Sequence, residues 1–172
     1  CGYRSAHGLY GSALCFCQLA GNSGCKGSSC ACPQGCDRSL LTYTGHQTVV
    51  FPNKARAHGC YPTTVLLTAP ASYFSTPTDL KRDCGGAASS VIADLLRDSW
   101  TAYQTRVGPG PVNQCFHASH IASVPYLHLQ TFCGAGSFHG MPTNNPSVGF
   151  CVRMESASQA YSLAARLAAQ MH

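Results

Sequence analysis

Cysteine content constrains this chain more than any other feature of its sequence. Twelve cysteines occur among 172 residues that include only six carboxylates, and seven of the twelve lie within the first 36 positions. Thiols at this density are kept as disulfides or as metal ligands, and many cysteines in a chain of low charge favour disulfides formed in an oxidising compartment. We therefore expect disulfide bonds at Cys1, Cys15, Cys17, Cys25, Cys30, Cys32, Cys36, Cys60, Cys84, Cys115, Cys133 and Cys151.

The spacing of these cysteines favours disulfides over a metal centre. Structural zinc sites use paired Cys-x-x-Cys or Cys/His ligands, whereas the closest pairs here have a single residue between them, as in Cys15-Phe-Cys17. The even count allows every cysteine a partner, but twelve cysteines permit on the order of ten thousand pairings. The sequence thus predicts cross-links without predicting their connectivity.

Three histidines between residues 117 and 128 are the other candidate metal ligands. His117, His120 and His128 are close in sequence and could bind zinc or copper through their imidazoles. Metal-bound histidines usually donate their other ring N–H to a carboxylate or another acceptor, and this chain has few carboxylates to fill that role. We interpret the three as scattered surface histidines, and we expect no metal and no cofactor.

A cysteine hydrolase is one catalytic alternative. Asp83 is predicted to cap a helix, which would place Cys84 in its first turn, where the helix dipole favours a nucleophilic thiolate. With His117 or His120 as the base, this pair would resemble the catalytic pair of a papain-like enzyme. The simpler interpretation, which we favour, is that Cys84 forms another disulfide.

Charge and hydropathy exclude some further classes of protein. Charged residues make up 10% of the chain, against about 25% in ordinary soluble domains, and the net charge is +5 without a long basic run. No apolar stretch reaches the roughly 18 residues that cross a bilayer. Because the chain starts at Cys1, we expect a processed secretory product, and Gly, Ser and Thr in place of charge suit an extracellular surface.

The chain divides by composition into a segment and a domain. Residues 1–45 combine seven cysteines with many glycines, which supply the backbone angles of tight turns between cross-links. We expect an irregular, disulfide-rich segment there. Residues 46–172 carry the periodic patterns, and we expect them to form an α+β domain that packs with the first segment as a single unit.

Strands are predicted where short β-branched and apolar runs end at proline or glycine. Such runs occupy 48–51, 63–68, 99–107, 124–132 and 148–154, and Pro125 suggests an edge position or a bulge for the fourth. Residues 134–147 are rich in Gly, Pro and Asn and are expected to form a long loop.

Two amphipathic helices complete the fold. Ala88, Ile92 and Leu95 recur at helical spacing after Asp83, with Asp94, Arg97 and Asp98 on the outer side. A second stripe, over about 156–170, contains Ala160, Leu163, Ala164, Leu167 and Met171. The sequence therefore predicts a small antiparallel sheet with two helices on one face.

The chain resembles secreted T2-type ribonucleases at two short boxes. That family carries a His-Gly-Leu-Trp box and, later, a His-Glu-x-x-Lys-His-Gly box, and this chain has His7-Gly-Leu-Tyr10 and His58-Gly-Cys60. The resemblance continues in Tyr73-Phe74 and Asp79-Leu80-Lys81. It implies that His7 and His58 act as acid and base on RNA through a 2′,3′-cyclic phosphate.

The second box departs from the family pattern at its catalytic positions. Lys54 stands where the family has its catalytic Glu, and Ala57 stands where it has Lys. Such a protein would bind phosphate near Lys54 and Arg56 but cleave RNA poorly. We therefore expect first a secreted, disulfide-stabilised protein that binds or self-assembles in an extracellular layer, with itself or another extracellular macromolecule as partner, and second a T2-like hydrolase.

Overall fold

The fold is described from a computed structural model, which covers residues 39, 41–53, 65–118, 126–132, 137–138, 141–142 and 149–171. It is an α+β fold in which helices cover one face of an antiparallel sheet, and the predicted class is confirmed. The predicted disulfide-rich segment lies outside the described residues except for position 39 and positions 41–45. The division of the chain at residue 45 stays a prediction.

Among the described residues, six strands form the main sheet in the order β1-β2-β3-β5-β4-β8, and every neighbouring pair is antiparallel. A separate two-stranded hairpin, β6 with β7, lies within the segment expected to be a loop. The strands are β1 (Tyr43–Thr44), β2 (Thr48–Pro52), β3 (Leu66–Pro70), β4 (Val112–His117), β5 (Leu129–Phe132), β6 (Ser137–Phe138), β7 (Met141–Pro142) and β8 (Gly149–Met154).

The helices are α1 (Pro77–Cys84), α2 (Ala88–Val107) and α3 (Ala160–Gln170), with single turns of 3-10 helix at Gly85–Ala87 and Ala157–Gln159. The sequence does not predict α1, because the helix expected after Asp83 corresponds to α2, and Asp83 itself lies within α1, whose N-cap is Thr76. The Thr76 hydroxyl accepts a hydrogen bond from the Asp79 amide at 3.1 Å, and Pro77 follows at the first helical position. Both features are typical of helix starts.

The predicted strand at 99–107 is wrong, because these residues form the second half of α2. Ser99, Ala102 and Tyr103 continue the buried helical spacing that begins at Ile92. A short stretch with mixed apolar and polar residues is compatible with both periods, and length decides between them. Here the stretch extends an existing helix to 20 residues, so no additional nucleation is needed.

The core lies between the sheet and the helices. Every sheet residue in it points to the same face, and α2 and α3 contribute the opposite side and pack against each other. The predicted stripe of α3 is buried as expected. The cluster includes Val50, Leu66, Val112, Phe116, Leu129, Val152 and Met154 from strands, and Ile92, Leu95, Leu96, Leu163, Ala164 and Leu167 from helices.

The second face of the sheet is buried as well. Val49, Phe51, Leu67, Cys115 and Phe132 point away from the helices, and each is at most 4% exposed. Strands buried on both faces read as continuous apolar runs rather than alternating ones. This explains the uninterrupted pattern at 48–51 and in β3. The strand order makes β5 an interior strand rather than an edge strand, and the bulge expected as the alternative at Pro125 lies outside the described residues.

The interior strand β4 was not predicted. Asn113 and Gln114 interrupt its apolar pattern, yet both are buried. The Gln114 side-chain amide donates to the Leu96 carbonyl of α2 at 2.9 Å, and hydrogen-bonded polar side chains of this kind are accepted in a core. From the sequence alone, the dipeptide Asn113-Gln114 looks like part of a turn, because the residues that hydrogen-bond to it are distant in the sequence.

Candidate functional site

Two imidazoles meet at one end of β4 and β5, on the face of the sheet opposite the helices. The rings of His117 and His128 have centroids 5.6 Å apart and are tilted by 57°. His128 is buried and His117 is half-buried. The prediction of scattered surface histidines is therefore wrong for these two, because antiparallel pairing brings two positions eleven residues apart to neighbouring strands. His120 lies outside the described residues.

The His128 ring is fixed by a main-chain contact. Its Nδ1 lies 2.7 Å from the Tyr126 carbonyl oxygen, and because a carbonyl only accepts, Nδ1 carries the proton. Burial lowers the pKa of His128 below the ordinary histidine value, while the hydrogen bond to the Tyr126 carbonyl opposes that shift. The fold thus stabilises His128 as a neutral imidazole.

Gln130 completes this polar group. Its side-chain amide lies 2.5 Å from Nε2 of His117, and it sits directly opposite Cys115 in the register of β4 and β5. Gln130 is 6% exposed. The three side chains His117, His128 and Gln130 form what we call the histidine cluster.

The chemistry available to the histidine cluster is limited by its surroundings. Proton transfer by imidazole needs access to a reacting group, and the neutral state of His128 is maintained by a dry environment rather than by a carboxylate. Among the described residues, no group of three His, Cys, Asp or Glu side chains is arranged to hold a metal ion. The cluster is best described as a buried, hydrogen-bonded polar contact between two strands.

The described cysteines are all cross-linked. Cys115 of β4 and Cys151 of β8 occupy directly opposite positions and form a disulfide with a Cα–Cα distance of 4.1 Å. Cys84 is the last residue of α1 and immediately precedes the 3-10 turn that leads into α2, and it is also disulfide-bonded. The cysteine-hydrolase alternative therefore has no free thiolate at Cys84. The other nine cysteines lie outside the described residues.

A second polar contact, which was not predicted, joins the helix layer to the sheet. Asp98, expected on the outer side of α2, is 4% exposed. Its Oδ2 accepts a hydrogen bond from the Thr48 hydroxyl of β2 at 2.5 Å, and its Oδ1 lies 3.4 Å from Nε of Arg97. Gly45, in the turn before β2, leaves room for this contact, because a side chain there would overlap the Asp98 carboxylate.

The residues that carry the ribonuclease resemblance are only partly described. His7, His58, Lys54 and Arg56 lie outside the described residues, so the predicted acid–base pair stays a prediction. The described remainder has structural contacts: the Tyr73 ring packs edge-on against Tyr126 at 5.2 Å, and Lys81 Nζ donates to the Met171 carbonyl at 2.7 Å.

Comparison of the chain with protein-family models, with curated proteins and with solved structures found no match. Within the described parts of the chain, no helix is both long enough and apolar enough to span a membrane. The contacts of this chain are therefore the basis for any statement about its role.

Proposed function

We propose that this protein is a secreted, disulfide-stabilised protein that acts by binding or by self-assembly at a cell surface or in an extracellular layer. The observation that carries the proposal is the disulfide cross-linking of the described strands and helices. A disulfide links the interior strand β4 to the edge strand β8, and another disulfide holds the end of α1. Such cross-links persist in oxidising compartments and are rare in the reducing cytosol.

The use of the polar groups in the core supports a scaffold role. Asp98 bonds to Thr48, Gln114 bonds to α2, and His128 bonds to the main chain at Tyr126. Each of these side chains makes a hydrogen bond inside the fold, which fixes the position of one element against another. A rigid body of this kind presents its loops and edges in constant positions, as a binding or assembling protein requires.

The first experiment counts free thiols. The native protein is denatured with an alkylating reagent and no reductant, and its mass is compared with that of a fully reduced, alkylated sample. We expect no alkylation in the first sample, because the proposal requires all twelve cysteines to be paired. Several free thiols, or release of a metal on denaturation, would contradict the extracellular assignment.

The second experiment separates assembly from catalysis. Sedimentation of the purified chain across a hundredfold range of concentration measures self-association, and immobilised extracellular polysaccharides and matrix proteins measure binding. We expect one of these interactions. RNA cleavage that is lost in His58→Ala would instead establish the ribonuclease alternative and overturn the proposal.

A further inference from the structure

The two edges of the sheet differ in length. β1 has two residues and β8 has six, and an edge strand of six residues presents a row of main-chain donors and acceptors to which another strand can bond. Natural proteins often shorten their edge strands to prevent this. The short β1 is protected in this way, whereas the longer β8 is not.

The disulfide identifies which main-chain groups of β8 face outward. In antiparallel pairs, opposite residues that exchange hydrogen bonds have Cα atoms about 5.5 Å apart, and those that do not are about 4.5 Å apart. The 4.1 Å between Cys115 and Cys151 places them in the second class. The N–H and C=O groups of Cys151, and of Arg153 two residues on, therefore point away from β4.

These outward groups are open in the described part of the chain. No main-chain hydrogen bond of the described residues reaches β8 from the side opposite β4. Arg153 is exposed and Cys151 is partly exposed, whereas Gly149 at the start of the strand is buried. Two adjacent outward positions are thus accessible to a second strand.

The charge of this edge fits a second copy of the same chain. A twofold interface brings a patch against itself, so a patch with net charge repels its own copy. The chain carries a net charge of +5, yet the charged side chains of the edge, Arg153 and Glu155, cancel and lie within 3.5 Å of each other. An antiparallel strand edge is also self-complementary about a twofold axis, because each outward residue offers one donor and one acceptor.

We propose that β8 is a self-association edge, where two copies pair antiparallel about a twofold axis to give one continuous sheet of twelve strands. This inference rests on the proposed function and names its partner. Cys151 of one copy exchanges main-chain hydrogen bonds with Arg153 of the other. Directly paired residues lie on the same face of a sheet, so both helix layers lie on one side of the joined sheet.

The register follows by elimination. Pairing Arg153 with itself sets like charges directly opposite each other, which is destabilising. Pairing Arg153 with Glu155 requires the Glu155 amide, which already donates to the Gln159 side chain at 2.7 Å. Pairing Cys151 with itself brings in Gly149, which is buried. Pairing Cys151 with Arg153 uses only the two accessible positions, because it sets Gly149 and Glu155 opposite each other at the two ends of the strand pair, where no hydrogen bond is required.

The test compares two substitutions at one position. Arg153→Pro removes an N–H that points away from β4, so it removes an intermolecular hydrogen bond without removing a bond to β4, and proline is tolerated on the open side of an edge strand. Arg153→Ala removes the charge and side chain but keeps the N–H. Sedimentation equilibrium measures the dimer dissociation constant of each variant, and thermal unfolding establishes that each is folded.

We expect Arg153→Pro to raise the dissociation constant roughly tenfold or more, since each dimer loses two hydrogen bonds, and Arg153→Ala to change it little. Equal loss in both variants would mean that side chains form the interface, and normal assembly of Arg153→Pro would mean that another surface does. Either result overturns the β8 edge and leaves the proposed function standing. A strict monomer that binds no extracellular macromolecule overturns both.

Hydrogen exchange on the unmodified protein provides a test that needs no variant. The amides of Cys151 and Arg153 should gain protection as the concentration rises through the dissociation constant. The Val152 amide bonds to β4 in either state, so its protection should stay constant and serves as the internal control. Association without added protection at Cys151 and Arg153 would contradict the proposed pairing.

Discussion

One buried contact between α2 and the sheet, that of Asp98 with Thr48, requires that residue 45, a glycine, has no side chain. This glycine lies in the turn between β1 and β2, and the Asp98 carboxylate and the Thr48 hydroxyl occupy the space that its Cβ would take. The Thr48–Asp98 hydrogen bond is buried. A close approach of this kind requires glycine for space rather than for backbone angle.

Gly45→Ala should therefore lower the free energy of unfolding by about 2–3 kcal/mol, because the methyl group either displaces α2 or breaks a buried, charge-assisted hydrogen bond. Urea denaturation of wild type and variant measures the difference. Gly86→Ala is the matched control, since nothing lies within 4 Å of a Cβ there. Equal stabilities for the two variants would show that Asp98 is not held against this turn.

The buried His128 makes the free energy of unfolding depend on pH. Burial lowers its pKa in the folded state, so between that lowered value and the ordinary value of about 6.5 the unfolded chain binds more protons. Stability then rises with pH through this window, is fully present above about pH 6.5, and is lost as the pH falls.

The measurement is the free energy of unfolding between pH 5 and pH 7.5, where one proton gives a slope of up to about 1.4 kcal/mol per pH unit. We expect His128→Gln to reduce the slope of the wild type. His46→Gln, at an exposed position, is the control and should retain it. An identical slope in wild type and His128→Gln would assign the pH dependence to other groups.

At the scale of the elements, a glycine ends α1 and separates it from α2. Gly85 has φ of +52° and accounts for the break, since positive φ is costly for residues with a Cβ. Arg82 of α1 forms ion pairs with Asp79 and Asp83 on the surface, and such exposed pairs add little stability. The two helices are therefore held by the core rather than by their surface charges.

The close packing of α3 depends on its alanines. Ala164 is fully buried on the face of α3 that joins the core, whereas Ala165 beside it is exposed. Ala164→Leu should lower the free energy of unfolding by about 1–3 kcal/mol through overpacking. Ala165→Leu should change it by less than about 0.5 kcal/mol. Calorimetric midpoints measure both, and equal midpoints would mean that α3 packs loosely.

At the scale of the whole molecule, cross-links and core act together. The Cys115–Cys151 bridge closes a loop with a sequence separation of 36 residues, for which the loss of chain entropy in the unfolded state corresponds to about 3–4 kcal/mol. The double variant Cys115→Ala/Cys151→Ala should lose about this amount in urea denaturation while keeping its fold, because the sheet is buried on both faces.

Reductant provides the control for that variant. We expect reducing conditions to lower the melting temperature of the wild type markedly, and to lower that of the double variant by less, since one bridge is already absent. A melting temperature that strong reductant leaves unchanged would contradict a stabilising role for the disulfides.

The sequence by itself determined the fold class, strands at 48–51 and 148–154, and the stripes of α2 and α3. These features follow from local periodicity, which reflects how each element buries one face. It also indicated disulfide chemistry through the number and spacing of cysteines. The pairing of Cys115 with Cys151 could not be predicted, because connectivity depends on which strands become neighbours.

Only the tertiary structure decided how distant segments meet. Strand pairing brought His117 to His128, and helix packing buried Asp98 against Thr48; neither contact has a local sequence signal, because each partner alone resembles an ordinary polar residue. The strand β4 was missed for the same physical reason. Burial of a polar side chain depends on a hydrogen-bonding partner that lies far away in the sequence, and that partner is provided only when the chain has folded.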